Sequence, residues 1–403
     1  MRFRNFLEIS RYVEDLGLFH MDLSLERVER FAQAFGPVKF VVAHVAGTNG
    51  KGSTAAFLER LAREHGLRTG LSTSPHFLDI RERVLVDGEP LSEEAWVAAA
   101  NQVDELAGDA DLTYFEFLTC LAMSAFQRAG VRLAVMEAGL GGRYDAVRAF
   151  GADMAVMTHI GLDHMHVLGP TLEYIARDKA HIIRKDTPAF TCIQDARVLE
   201  VLTERAQSVG ATLDVAQPFT GRVGMRGRHQ RSNAGLALLA WRRLAEMLCV
   251  SVDGRKVERA LAEAFVPGRL QVVEQEGAVW YLDGAHNEPA LLALGRALRD
   301  EGLSPETLVV SCMRDKDLER MAPLLRELCP GQILCPDLPW YERMLPGPEL
   351  ARILGERASS ALSPVQGFER AAQGKGPILV CGSLYLLAEF YRLYPQHLSR
   401  STS

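Results

Sequence analysis

Lys39-Phe-Val-Val-Ala-His-Val45 runs without a break into Ala46-Gly-Thr-Asn-Gly-Lys-Gly-Ser-Thr54. The first stretch is short, apolar and β-branched, and reads as a buried strand. The second is rich in glycine, and residues 54–65 follow it with helical periodicity and Gly66 as a C-cap. Strand, glycine-rich turn and helix are the setting of a phosphate-binding loop. In such a turn successive backbone N–H groups form an anion nest, and the helix adds the positive end of its dipole. Glycines let the backbone approach phosphate oxygens, Lys51 supplies a mobile positive charge, and a following hydroxyl can ligate Mg²⁺. The general pattern G-x-x-x-x-G-K-[ST] is met imperfectly: Val45 stands at the first glycine position, and Gly52 follows the lysine with Ser53 one step late.

Similar strand candidates recur along the chain at Arg132–Glu137, Met154–His159, Val279–Asp283, Thr307–Ser311 and Pro377–Cys381, with helical patterns between them. A helix is also expected over residues 24–35, with Ser24 as its cap. This alternation predicts an α/β protein with mainly parallel sheets and crossover helices. Pro267-Gly-Arg269 ends a helical stretch and precedes a new strand series. We place a boundary there, giving a nucleotide-binding domain over 1–267 and a smaller Rossmann-like α/β domain over 268–403.

The bulk composition fits that architecture. A chain of 403 residues with 48% hydrophobic and 24% charged residues is an ordinary globular protein of two or three domains. Its net charge of −6 argues against a nucleic-acid partner. The seven cysteines are odd in number and contain no CxxC, which disfavours a disulfide framework or a structural zinc site and points to a reducing, cytoplasmic setting. There is no apolar run of the length of a signal peptide or a membrane span, so no membrane association is expected.

The run His44-Val-Ala-Gly-Thr-Asn-Gly-Lys-Gly-Ser53 resembles the phosphate loop of the folylpolyglutamate synthase and dihydrofolate synthase family, within the Mur ligase superfamily. The likeness continues in order through Ser74-Pro-His-Phe, Thr113-Tyr-Phe-Glu116 and Glu137-Ala-Gly-Leu-Gly-Gly-Arg-Tyr-Asp145-Ala146. It goes on through Ile160-Gly-Leu-Asp-His164, the lysine Lys179, Asn233, Pro267-Gly-Arg269, Asp283-Gly-Ala-His-Asn287, Asp315-Lys-Asp317 and Gly382-Ser-Leu-Tyr. Many matched segments in one order are far more specific than any one of them. The resemblance implies an ATP-dependent amide ligase that activates a carboxylate as an acyl phosphate and couples L-glutamate to dihydropteroate or a folate. It also implies a monomer working with small-molecule substrates.

The resemblance further assigns roles. Gly47, Thr48, Asn49, Gly50, Lys51, Gly52, Ser53 and Thr54 would hold ATP from the loop, with Asn233, Arg269, Asp283 and His286. Mg²⁺ would lie among Ser74, Glu137 and His164, with Ser53; the requirement for K⁺ stays open. Lys51, Glu137, His164 and Lys179 would form the catalytic set, with Lys179 carbamylated, and Thr113, Phe115, Asp145 and Ala146 would contact the pterin. Only Glu137, at a strand end, suggests itself independently as a cation ligand. Read alone, His164 is a hydrogen-bonded structural residue, Lys179 a solvated helix lysine, Phe115 core, Asp145 a turn residue, Asp283 a cap and His286 a surface histidine.

Two places depart from the family pattern. Val147-Arg148 stands where relatives have Thr-Asn, and Lys179 is flanked by Asp178 and His181 in place of the usual Glu and Gly. They motivate an alternative in which the same ligase chemistry serves a different carboxylate acceptor. A non-catalytic nucleotide-binding homologue is the other alternative.

Overall fold

The structure is a computed structural model that describes residues 2–17 and 22–399. The chain forms two compact units. The first comprises residues 1–160, 168–222 and 232–264; the second comprises 161–167, 223–231 and 265–403.

The first unit is built on an eight-stranded sheet in the order β4-β3-β2-β5-β1-β6-β7-β8. Its strands are β1 (Val41–Ala46), β2 (Thr69–Ser72), β3 (Val84–Val86), β4 (Glu89–Pro90), β5 (Leu133–Glu137), β6 (Met154–Met157), β7 (Ala189–Thr191) and β8 (Leu213–Val215). From β2 across to β8 every pairing is parallel, and β3 and β4 add an antiparallel edge. Parallel strands covered on both faces carry mainly apolar side chains, as β1, β5 and β6 do, with His44 in β1 and Glu137 at the end of β5 the exceptions. β1 sits where the strand order reverses, between β5 and β6, so the C-terminal ends of these three strands lie side by side. Val45 pairs in register with Glu137, and Ala46 with Met157. That is where an open α/β sheet binds ligands.

The helix after β1 spans Lys51–Glu64 and starts three residues before the periodic pattern does, because Gly50, at φ +88°, serves as its N-cap. Phe57, Leu58 and Leu61 on that helix are fully buried, each such side chain stabilising the fold by about 1.5–3 kcal/mol. The predicted helix over 24–35 forms as Glu26–Phe35; Ser24 Oγ accepts the Glu26 N–H at 3.2 Å rather than capping from the N-cap position.

The second unit holds a six-stranded sheet in the order β13-β12-β11-β14-β10-β9. Its strands are β9 (Gln271–Gln275), β10 (Ala278–Leu282), β11 (Thr307–Val310), β12 (Gln332–Pro336), β13 (Ala358–Ala361) and β14 (Ile378–Cys381). All pairs are parallel except β9 with β10, a hairpin at the edge. Leu308, Val310, Leu379 and Cys381 from central strands pack with Leu291, Leu294, Met321 and Leu325 from flanking helices. All seven cysteines are free. Among the described residues no helix is long and apolar enough to cross a membrane.

Candidate active site

The phosphate loop is locked by its neighbours. Gly47, at φ +152°, lies so close to Thr158 that a Cβ would run into its hydroxyl, and a Cβ on Gly50 would strike the Asn233 amide. Asn233 is buried on the helix Arg228–Met247, so that helix reaches the loop. The N–H groups of Thr48 and Asn49 both donate to the His159 carbonyl, at 2.9 and 3.2 Å. The amides of Lys51, Gly52 and Ser53 open the helix and have no carbonyl one turn before them, which leaves them able to take an anion. Lys51 Nζ folds back on the Thr48 carbonyl at 3.2 Å.

Glu137 ends β5 beside this loop and is 4% exposed. Its Oε2 accepts the Ser74 backbone N–H at 2.9 Å and lies 3.5 Å from where a Cβ on Gly52 would be. Three of the residues assigned to nucleotide and metal, Gly52, Ser74 and Glu137, thus converge. Ser53 Oγ and Thr54 Oγ1 are buried with no hydrogen-bond partner among the described residues. A buried hydroxyl without a partner is costly, and a hydroxyl next to a buried carboxylate is an oxygen donor set that suits Mg²⁺. No group of three or more His, Cys, Asp or Glu among the described residues could hold a metal by itself. A divalent ion here would draw on these oxygens and on nucleotide phosphates.

The residues assigned to the acceptor gather around residues 139–146. Thr113 caps the helix Tyr114–Ala129 in a capping box with Glu116, and Arg27 grips both oxygens of Glu116, at 3.1 and 3.0 Å. The Phe115 ring abuts Gly139, where a Cβ would stand 2.7 Å from ring carbons. Asp145 accepts the Leu140 N–H at 2.9 Å and the Val147 N–H at 3.1 Å, and Ala146 beside it is buried. Burial pushes the Asp145 carboxyl up to about 6, against backbone N–H donors and the charge of Lys179. Lys179 is 4% exposed at the end of the helix Leu172–Lys179, not solvated as its sequence context alone suggests. Its backbone touches Gly142, and the neighbouring Asp178 accepts the Gly142 N–H at 2.9 Å. Asp178, a departure from the family pattern, thereby ties the lysine's helix to the glycine loop.

The second unit collects the remaining residues. Asp283, just past β10, is buried and accepts the N–H groups of Leu270 and Ala285, both at 2.8 Å. Burial outweighs Arg269 and these donors, so its carboxyl sits above its ordinary value. Arg269 Nη1 reaches the Gly268 carbonyl at 3.4 Å and packs over Gly284. His286 Nδ1 lies 2.7 Å from the Gly284 carbonyl, so that nitrogen carries the proton and Nε2 faces Asp163 Oδ2 at 3.8 Å. Burial first, then Lys316, push the His286 imidazole down to about 4, which keeps it neutral.

Asp163 is the hub of this group. Lys316 Nζ donates to its Oδ1 at 2.6 Å, Asn287 Nδ2 donates to its Oδ2 at 2.8 Å, and the His164 ring is 3.8 Å away. Burial pushes Asp163 up, but Lys316, His164 and His286 outweigh it and hold the carboxylate well below the usual range. His164 sits here with φ +49°. Sequence reading passed over Asp163, Asn287 and Lys316 as functional residues, although each lies within a matched segment. Their spacing carries no signal, since 153 residues separate Asp163 from Lys316.

Comparison with known proteins adds independent information. Residues 45–217 match the Mur ligase middle domain, and 268–384 the Mur ligase, glutamate ligase domain. The chain is 33% identical to the dihydrofolate synthase/folylpolyglutamate synthase of Escherichia coli, over 94% of this chain and 92% of that protein. It is also 33% identical to the mitochondrial folylpolyglutamate synthase of Bos taurus, over 74% of this chain, and there it spans 59% of the relative's length. Among solved structures, E. coli FolC in complex with DHPP and ADP superposes with a TM-score of 0.88 at 30% identity, covering 98% of this chain and 99% of that one. The bifunctional folylpolyglutamate synthase/dihydrofolate synthase of Yersinia pestis, complexed with AMPPNP and Mn ion, superposes at 0.86 with 29% identity and the same coverage.

Proposed function

The chain belongs to the folylpolyglutamate synthase/dihydrofolate synthase family of Mur ligases, and from that premise we propose that it is an ATP-dependent ligase joining L-glutamate to dihydropteroate or a folate. The observation that carries this reading is that the helix opened by Lys51, Gly52 and the partnerless Ser53 hydroxyl starts against the buried Glu137, where the adjacent strands β1 and β5 end.

Making an amide from a carboxylate needs a leaving group. The γ-phosphoryl of ATP supplies it: the acceptor carboxylate oxygen attacks phosphorus, ADP departs, and an acyl phosphate results. The glutamate amine then attacks the acyl carbon, loses a proton and expels phosphate. The protein's task is positioning and charge stabilisation. The amides of Lys51, Gly52 and Ser53 cradle the phosphates, while the Lys51 ammonium leaves the Thr48 carbonyl for the transferring group. A divalent cation held by Ser53, Glu137 and Ser74 would neutralise charge developing on the phosphoryl oxygens. The complex of the Yersinia pestis relative with AMPPNP and Mn ion supports the use of a nucleotide with a divalent metal. Thr113, Phe115, Asp145 and Ala146 take the acceptor's ring, with Phe115 stacking and Asp145 accepting N–H groups. In the first unit Asn233 serves the nucleotide.

Carbamylation of Lys179, buried beside the glycine loop, is part of this reading. A cytoplasmic monomer belongs to the same reading, in keeping with seven free cysteines. The test is ADP release with dihydropteroate, with tetrahydrofolate and without acceptor, each with L-glutamate and Mg²⁺, with and without K⁺. Release that needs both acceptor and glutamate is expected. No release with either acceptor overturns the reading.

A further inference from the structure

An uncompensated group of positive charges joins the acceptor loop to two neighbouring segments. Arg148 lies on the short 3-10 helix Ala146–Phe150 that Asp145 caps. Phe150 fixes that turn by packing edge-on against Phe31 and Phe35, with ring centroids 5.9 and 6.1 Å apart. Arg148 Nη1 donates to the Arg143 carbonyl at 2.9 Å, and Arg184 Nη1 donates to the Arg148 carbonyl at 2.7 Å. Arg205 completes the group: its Nε and Nη2 donate to the carbonyl of Ile183, next to Arg184, at 3.2 and 3.1 Å.

All three guanidiniums are partly buried, and none pairs with a carboxylate among the described residues. The pairs that other arginines form with Asp and Glu across this acidic chain make the omission specific. Burial first, then the charge of Arg148, push Arg184 and Arg205 below their ordinary values, with Glu29 opposing the trend at Arg184 from a distance. The fully buried His44 ring feels Arg184 as well. Each guanidinium has five donors and spends one or two on a carbonyl. Arg148 on its turn, Arg184 in the segment before β7 and Arg205 on the helix Ala196–Ser208 are tied together by backbone bonds, and like charges fixed in this way form a preorganised receptor for anions.

We propose that Arg148, Arg184 and Arg205 form a subsite for the additional carboxylates of an acceptor that already carries glutamate. The inference rests on the ligase reading above, which places the acceptor at Asp145. Ligation consumes one carboxylate and introduces two, so a product returning as acceptor is more anionic than the one before. Arg148 beside the acceptor loop, backed by Arg184 and Arg205, favours such a molecule over dihydropteroate, which has a single carboxylate.

The experiment compares KM for tetrahydrofolate triglutamate with KM for dihydropteroate, using the full-length wild type, R148Q and R148K. In R148Q the ratio of the two KM values rises at least about fivefold, and R148K restores much of it, because a charged donor is what the subsite supplies. Added KCl raises the wild-type ratio and leaves that of R148Q nearly flat. R184K, checked for an unchanged melting temperature, raises the ratio too, because a lysine cannot reproduce the planar fork. An unchanged ratio in both R148Q and R184K overturns the subsite. If the wild type turns over no acceptor, the ligase reading falls separately. Calorimetric titration of tetrahydrofolate triglutamate then decides the subsite: at least about fivefold weaker binding to R148Q supports it, and equal binding overturns it.

Discussion

The backbone N–H of Ser74 holds Oε2 of Glu137 at 2.9 Å, so the loop after β2 orients the carboxylate that ends β5. The strands themselves pair in parallel, Ser72 with Met136, which brings the two segments to the same level. A carboxylate fixed this way needs no reorganisation before it acts.

Glu137→Gln keeps the shape and the Ser74 bond but removes the charge. ADP release is expected to fall by about a hundredfold or more, with the loss partly recovered at high Mg²⁺ or Mn²⁺. Lys51→Met is expected to lose a similar amount without recovery by metal. A steady-state assay across a metal titration separates the two.

The loop's glycines differ in what they tolerate. Gly47→Ala and Gly50→Ala each force a left-handed or strained backbone and a collision, with Thr158 and Asn233 respectively, and are expected to cost about 1–3 kcal/mol. Gly52 has helical geometry, and its added methyl would stand an ordinary 3.5 Å from Glu137. Gly52→Ala should keep its melting temperature or gain up to about 1 kcal/mol, yet lose nucleotide affinity, because the methyl occupies the approach to the carboxylate. Thermal melts beside ADP titration distinguish the cases.

Asp163 and Lys316 have side chains only 8% and 6% exposed. Removing either partner leaves an unpaired charge in the interior, so Asp163→Ala or Lys316→Met is expected to cost about 3–5 kcal/mol. The double variant should be more stable than the sum of the two losses predicts. Urea unfolding of the four proteins gives the coupling; simple additivity would sink the idea.

His44 lies in β1, fully buried, and neither ring nitrogen has a hydrogen-bond partner among the described residues. Burial, reinforced by Arg184, pushes it down to about 3. The unfolded chain therefore takes up a proton near pH 6.5 that the folded chain refuses until about 3. Stability contributed by this site falls as pH drops through that window, by up to about 1.4 kcal/mol per pH unit. His76 and His229, both pushed down to about 4 chiefly by burial, act in the same direction. His44→Leu loses no hydrogen bond, so it should match the wild type at pH 7 and unfold less readily at pH 5.

Asp145 offers a kinetic readout. With its carboxyl raised to about 6, kcat/KM for a pterin acceptor should climb as pH increases through 6, since only the carboxylate accepts two ring N–H groups. Asp145→Asn should flatten that limb.

Local features were the legible ones. β1, the glycine loop and its helix announce themselves because periodicity, β-branching and φ-positive glycines all act within a few residues. Glu137 could be picked out for the same reason, as the carboxylate closing an apolar strand. The short edge strands β3, β4 and β13 escaped, because two to four residues such as Glu89-Pro90 or Ala358-Ser-Ser-Ala361 carry no periodic signal. The Arg27 grip on Glu116 and the Lys316 bond to Asp163 join residues 89 and 153 positions apart, which only the folded chain reveals. Lys179 shows the limit of composition: a lysine on a short helix looks solvated until β-sheet topology places the glycine loop against it.

Residues 161–167 are encoded between β6 and the helix Leu172–Lys179 but pack with the second unit. A polypeptide cut to 265–403 would therefore retain Lys316 in its interior while losing the counter-ion that neutralises it. Splicing both missing segments, 161–167 and 223–231, onto the shortened chain should rescue that fragment's solubility. The two units are thus interleaved along the gene, and recombination between relatives at one crossover point near residue 265 should yield poorly folded hybrids wherever Asp163 and Lys316 come from mismatched parents.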